Sequence, residues 1–245
     1  MSNERFRIAC SNVIGREKAR NGIGTLGEKT LHAVLKDYFE PHKENQEIRV
    51  GKFVADIVGE DGVIEIQTRQ FNKLLKKLEE FLEYCNVTVV YPVPCVKYLS
   101  WIDTETGEVT SRRKSPKKGT IYDAADELYR IKYTLDNPRF NLCICLLETE
   151  ETRYLNGWSK DKKRGSSRCD RVPTELCGEI YFRCPADYKA FVPEGLGEEY
   201  TSADFAKAAH IRRGTAQTVL NLLTYLEVVR RVGKRSNSYV YTTVI

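Results

Sequence analysis

The sequence contains no apolar run near the roughly 18 residues that a membrane-spanning helix needs. A helical membrane protein is therefore not expected. Its first residues, Met1-Ser2-Asn3-Glu4-Arg5, are polar and lack the apolar stretch of a secretory leader, so a cytoplasmic location is expected. There is no Cys-x-x-Cys pair, and no histidine stands near Cys169, Cys177 and Cys184 to complete a zinc spacing. Cys10, Cys85, Cys95, Cys143 and Cys145 lie in or beside apolar runs and read as buried, reduced thiols. A strong charge of either sign is also missing. The net charge of +5 permits an anionic partner without demanding one. The length, 245 residues, suits one large domain or two smaller ones.

The chain does carry two acids inside otherwise apolar strands. Phe53-Val54-Ala55-Asp56-Ile57-Val58 and Val63-Ile64-Glu65-Ile66-Gln67-Thr68 flank Gly59-Glu60-Asp61-Gly62, the pattern of a β-hairpin. A tip at Glu60-Asp61 sets Asp56 opposite Glu65. A tip at Asp61-Gly62 sets Asp56 opposite Gln67, with Glu65 one step away. Either register predicts both acids on one sheet face. Opposed carboxylates about 5 Å apart repel by roughly 3–4 kcal/mol at an effective dielectric of about 20. A shared proton, a basic partner or a divalent metal offsets such repulsion. Mg²⁺ takes carboxylate oxygens together with water and a substrate phosphate.

Around this hairpin the periodicity predicts helices at 28–39, 71–84 and 121–135. The first carries Leu31, Leu35 and Phe39 inward and Glu28 in its opening turn, and Pro41 stops it. The second sets Leu74, Leu75, Leu78, Phe81 and Leu82 against Lys73, Lys76, Lys77, Glu79, Glu80 and Glu83. Strands are expected at 86–91, closed by Pro92 and Pro94, and at 141–147, with a hairpin at 97–110. Strand, helix, strand predicts a right-handed crossover and a partly parallel sheet. Residues 1–20 read as polar and basic with little period. Gly22-Ile23-Gly24-Thr25-Leu26-Gly27 has the letters of a dinucleotide fingerprint, but no strand precedes it. Two basic loops follow. One holds Arg112, Arg113, Lys114, Lys117 and Lys118; the other, at 156–173, holds Lys160, Lys162, Lys163, Arg164, Arg168 and Arg171. Beside a metal site, such loops favour a polyanion.

The last stretch has its own pattern. Thr201 or Ser202 caps a helix to Ala209, a turn at 210–214 follows, and Thr215 opens a longer helix to Leu226. Strands at 228–232 and 238–242 enclose Gly233-Lys234-Arg235-Ser236-Asn237. Helix, turn, helix and a basic-tipped hairpin make a winged helix-turn-helix, expected at 198–245 after a first domain at 1–195. Arg212, Arg213, Thr215, Gln217, Thr218 and Asn221, with Lys234 and Arg235, are groups that reach phosphates or base edges.

The order of a helix with Glu28, a strand with Asp56, a turn, Glu65-Ile66-Gln67, an amphipathic helix and a strand resembles the PD-(D/E)xK nuclease superfamily over residues 24–95. The resemblance implies an α/β fold, with a restriction-endonuclease-like mixed sheet flanked by helices. It also implies a magnesium- or manganese-dependent endonuclease, a hydrolase of phosphodiester bonds. Carried over, Asp56 and Glu65 are metal ligands and Glu28 the supporting acid of the first helix. Gln67 takes the place of the catalytic lysine, and Ala55 stands where the motif has proline. Lys29, Arg69 or a basic residue of one of the loops would supply the positive charge that Gln67 lacks. The expected partner is double-stranded DNA, with no membrane. A homodimer belongs to the same expectation, because enzymes that cut both strands are commonly dimers. The rival reading is a catalytically silent, nuclease-like DNA-binding or regulatory protein.

Overall fold

The computed structural model describes residues 2–21, 29–157 and 167–244. The glycine motif at 22–27 lies outside them. A mixed sheet runs in the order β1-β2-β3-β4-β6-β7, with the short β5 paired to β4. Its strands are β1 (Gln46–Val50), β2 (Phe53–Gly59), β3 (Gly62–Ile66), β4 (Val87–Ile102), β5 (Arg113–Lys114), β6 (Phe140–Tyr154) and β7 (Ser167–Phe182). The pairs β3–β4 and β4–β6 are parallel, and the outer pairs are antiparallel. The architecture is thus α/β, with a mixed sheet flanked by helices, as the strand–helix–strand order predicts.

Alternation along the central strands divides the core between two layers. Val89, Leu142 and Ile144 face α3 (Leu75–Leu82) and α4 (Ala125–Arg130). Val90, Cys143 and Cys145 face α1 (Ser2–Asn21) and α2 (Lys29–Phe39). The first helix corrects the reading of residues 1–20. Phe6, Ala9, Cys10 and Val13, at i, i+3, i+4 and i+7, are buried against α2 and the sheet. The stripe is narrow and set among charges, so composition hides it. Phe6 is fully buried, with its ring edge-on to Tyr38 at 5.3 Å. Phe6→Ala should therefore cost about 3–5 kcal/mol in denaturant unfolding. A loss under about 0.5 kcal/mol would mark α1 as a loosely attached arm.

Two further expectations change. Pro92 and Pro94 do not end β4. Gln67 N–H donates to the Val90 carbonyl at 2.9 Å, so Pro92 and Pro94, two and four residues on, turn their missing donors to that same side. There β3 has already ended, and no neighbouring strand needs those donors. The single helix expected at 121–135 is instead α4 between two 3-10 turns, Ile121–Ala124 and Lys132–Thr134. The basic loops are also partly strand, since Arg113 and Lys114 form β5 and Arg168 and Arg171 lie on β7.

The C-terminal unit is β8 (Tyr200–Thr201), α5 (Ser202–Ala208), α6 (Arg213–Tyr225), β9 (Val229–Arg235) and β10 (Ser238–Thr243), in a sheet of order β8-β10-β9. Thr201 caps α5, and Asp204 closes the capping box. The side of α6 that carries Asn221 and Tyr225 leans on the region of α4. Lys132 donates to Asn221 at 3.2 Å, and Tyr225 OH donates to Asp136 at 2.8 Å. Val219, Leu220 and Leu223 join one continuous core with Leu128 and Ile131. The stretch at 198–245 is therefore welded to the sheet layers.

Candidate functional site

The β2–β3 ladder pairs Gly59 with Gly62, Val58 with Val63 and Ile57 with Ile64. That sets the tip at Glu60-Asp61 and brings Asp56 and Glu65 together. Past Ile57 the two strands fork, and the carboxylates take over the ladder bonds. Glu65 Oε1 accepts from the Asp56 N–H at 3.2 Å, and Asp56 Oδ2 accepts from the Ile66 N–H at 2.8 Å. The two acids fill the fork and are met from opposite layers. From α2, His32 Nε2 lies 3.1 Å from Asp56 Oδ2. From α3, the Lys77 ammonium donates to Glu65 Oε2 at 2.6 Å.

Glu65 is 2% exposed. Burial, then the charge of Asp56, push its carboxyl up to about 7, against the pull of Lys77 and the Asp56 N–H. Burial also opposes the charge of Asp56. The hydrogen bond and charge of His32, the Ile66 N–H and Lys77 outweigh it and hold that carboxyl below its ordinary value. Asp56 Oδ1 accepts no hydrogen bond among the described residues. The site therefore has one firmly ionised carboxylate with an open oxygen, beside a buried one whose charge is contested. The basic partner foreseen for the acid pair is Lys77.

Gln67 continues the parallel ladder to β4, and its side-chain nitrogen donates to the Arg69 carbonyl at 2.7 Å. It lies next to the fork but makes no hydrogen bond with either acid. Arg69 is exposed in the turn that follows β3. Glu28, Lys162, Lys163 and Arg164 lie outside the described residues, and Lys29 is placed only as the first residue of α2. His32 and Lys77 were not singled out from the sequence. Lys77 had a signal. It stands three residues after Leu74 and four before Phe81, on the apolar stripe of α3, and its ammonium lies 5.8 Å from the Phe81 ring centre. His32 borders the α2 stripe of Leu31 and Leu35 in the same way.

The basic residues divide into two groups. Beyond the fork, Arg112 stacks on Tyr98 at 3.4 Å and pairs with Glu150 at 2.8 Å, and Arg113 lies 4.5 Å over Trp101. Glu151, fully buried, gathers Arg153, Arg171 at 3.2 Å and Arg168 at 3.6 Å. These arginines hold its carboxyl below the ordinary value against the cost of burial. Arg168 is thus partly a structural counter-ion. On the C-terminal unit, Arg212, Gln217, Lys234 and Arg235 are exposed. Arg213 instead ties Ser202 to Ser238, at 3.4 and 3.1 Å, and Thr218 bonds back to the Gly214 carbonyl. Thr215 is half-buried, and Lys234 lies 5.1 Å from the Tyr239 ring centre. Among the described residues no helix is long and apolar enough to cross a membrane.

No solved structure matches the chain. An uncharacterized protein from Treponema pallidum (strain Nichols) is 35% identical to it over 147 residues, 60% of this chain and 56% of that protein. The chain thus spans a little over half the length of that relative. Residues 29–183 match a family described as "Domain of unknown function (DUF8091)". The matched region runs from α2 to the last residues of the large sheet and contains His32, Asp56, Glu65 and Lys77. The chain belongs to this DUF8091 family.

Proposed function

We propose that the chain is a metal-dependent nuclease of the PD-(D/E)xK kind, hydrolysing phosphodiester bonds of nucleic acid, with double-stranded DNA the favoured substrate. One observation carries this reading: Asp56 and Glu65 meet in a strand fork with a lysine ammonium on Glu65. The donor set fits a hard divalent cation. It is oxygen only, its two charges oppose each other, and Asp56 Oδ1 is open. Asp56 and Glu65 would hold Mg²⁺ or Mn²⁺, which when bound polarises a phosphoryl oxygen and acidifies a water.

The chain's own residues do the rest. His32 fixes the Asp56 carboxylate through Oδ2, which leaves the other oxygen without a hydrogen bond among the described residues. Lys77 supplies the positive charge that Gln67 cannot, next to where charge grows on the phosphoryl oxygens. Gln67 spends its NH₂ group on Arg69 and keeps its carbonyl oxygen to accept from a water. Arg113 on β5, Arg112 just before it, and the arginines around Glu151 on β6 and β7 offer positive charge along which a phosphate backbone can run. The C-terminal unit has the element order of a winged helix. Its exposed Arg212, Gln217, Lys234 and Arg235 suit phosphate and groove contacts.

The test is a panel of single- and double-stranded DNA and RNA, each with Mg²⁺ or Mn²⁺. The expected result is metal-dependent cleavage, with binding that weakens as salt rises. Salt-sensitive binding without cleavage of any substrate would favour the silent binding protein, a reading that the engaged Gln67 amide supports. Within an active enzyme, Lys77→Ala should lower the cleavage rate about 10²-fold or more. Arg69→Ala should cost far less, and equal losses would contradict the assignment of Lys77.

A further inference from the structure

A second cluster of ligand-type side chains lies in the core layer beneath α1 and α2. Cys143 and Cys145 are two residues apart on β6, so both side chains leave the same sheet face, toward α2. Both are fully buried, and their sulfurs are 3.7 Å apart. Glu179 stands opposite Cys145 on β7. The two sulfurs and a Glu179 carboxylate oxygen all lie within 4.8 Å of one another.

The carboxylate is held in place. Tyr38 OH, from α2, donates to Glu179 Oε2, and Tyr181 OH donates to Oε1, each at 3.2 Å. A metal-binding carboxylate is commonly oriented by such second partners. The sulfur spacing fits a particular ion. Two thiolates each about 2.3 Å from a tetrahedral zinc stand about 3.8 Å apart.

We propose that Cys143, Cys145 and Glu179 form a zinc site. The chemistry separates it from the fork. Two sulfurs select a thiophilic ion, whereas the oxygen-only pair Asp56 and Glu65 suits magnesium. The proposal is independent of the nuclease reading. The sequence concealed the site because its thiols follow strand spacing, Cys-x-Cys, and its third ligand comes from the neighbouring strand.

Cobalt substitution of the full, reduced, metal-stripped chain tests it. One Co²⁺ per chain should give thiolate-to-cobalt charge transfer in the near ultraviolet and strong visible bands of tetrahedral cobalt, and one Zn²⁺ should abolish both. Cys145→Ala should remove the charge transfer. Tyr38→Phe should weaken the site about 10-fold, and Asp56→Asn should leave the bands unchanged. The absence of charge transfer at one equivalent would overturn the proposal, as would a band that survives Cys145→Ala. If Cys145→Ala does not fold, Glu179→Gln, at a half-buried position, decides. Cobalt affinity lowered at least 10-fold supports the site, and unchanged affinity contradicts it.

Discussion

Asp56→Asn should abolish metal-dependent cleavage, with a loss on the order of 10³-fold or more, while the chain stays folded. The variant keeps a carbonyl oxygen that can accept from the Ile66 N–H, the bond that closes the strand fork. It loses the charge that a divalent cation needs and that His32 and Lys77 stabilise in the wild type. Removing one preorganised donor from a hydrolytic site typically costs 10²–10³ in rate, and losing a metal ligand removes more. The stability cost of one altered hydrogen bond is only about 1 kcal/mol. A linked effect follows. Burial first and the charge of Asp56 second hold the Glu65 carboxyl up near 7, so in Asp56→Asn the Glu65 carboxyl should titrate lower than in the wild type, with burial still holding it above its ordinary value. Cleavage assays beside titration of the Glu65 carboxyl by NMR check both parts. A rate within 10-fold of wild type would remove Asp56 from the chemistry.

Glu65→Gln should make the chain more stable at pH 8 while abolishing its activity. The folded carboxyl titrates at about 7, against an ordinary value of 4.5. The folded state therefore holds this proton longer than the unfolded chain does. Stability from this group is fully present below about pH 4.5 and falls as pH rises through about 7. Above that the penalty is about 3 kcal/mol. Glutamine keeps the neutral shape and never ionises, so the wild-type and variant curves should nearly coincide at pH 5. At pH 8 the variant should stand about 2–3 kcal/mol higher. Mg²⁺ should raise the wild-type stability at pH 8 and leave the variant unmoved. Denaturant unfolding at both pH values decides. A variant less stable than wild type at pH 8 would show that Lys77 neutralises Glu65 fully. The trade is the one expected of a binding site, which holds charges that the fold alone disfavours.

The acid pair was legible because charge inside Val- and Ile-rich strands is costly and stands out. The Glu60-Asp61 tip was one of two registers open to the sequence, and the structure selects it through the Ile57–Ile64 pairing. The partly parallel sheet followed from strand–helix–strand order. Other features were not legible, for identifiable reasons. The core-facing stripe of α1, with Phe6, Ala9, Cys10 and Val13, is set among charges. The continuation of β4 through Pro92 and Pro94 depends on where β3 ends, which no local pattern records. The opposite approaches of His32 and Lys77 depend on which layer each helix occupies. The face of α6 that carries Asn221 and Tyr225 was open to a groove-contact reading, but tertiary packing commits it to Lys132 and Asp136.

The central claim is that Asp56 and Glu65 together bind a divalent cation used to cut nucleic acid. Calorimetric titration of Mn²⁺ into wild type and Glu65→Ala, with cleavage of mixed nucleic acids assayed on the same samples, tests it most directly. The account predicts one metal bound at the fork in the wild type, lost in Glu65→Ala, with cleavage that appears only in the metal-bound wild type. Equal Mn²⁺ binding by both proteins, or no binding by either even with nucleic acid present, would contradict it.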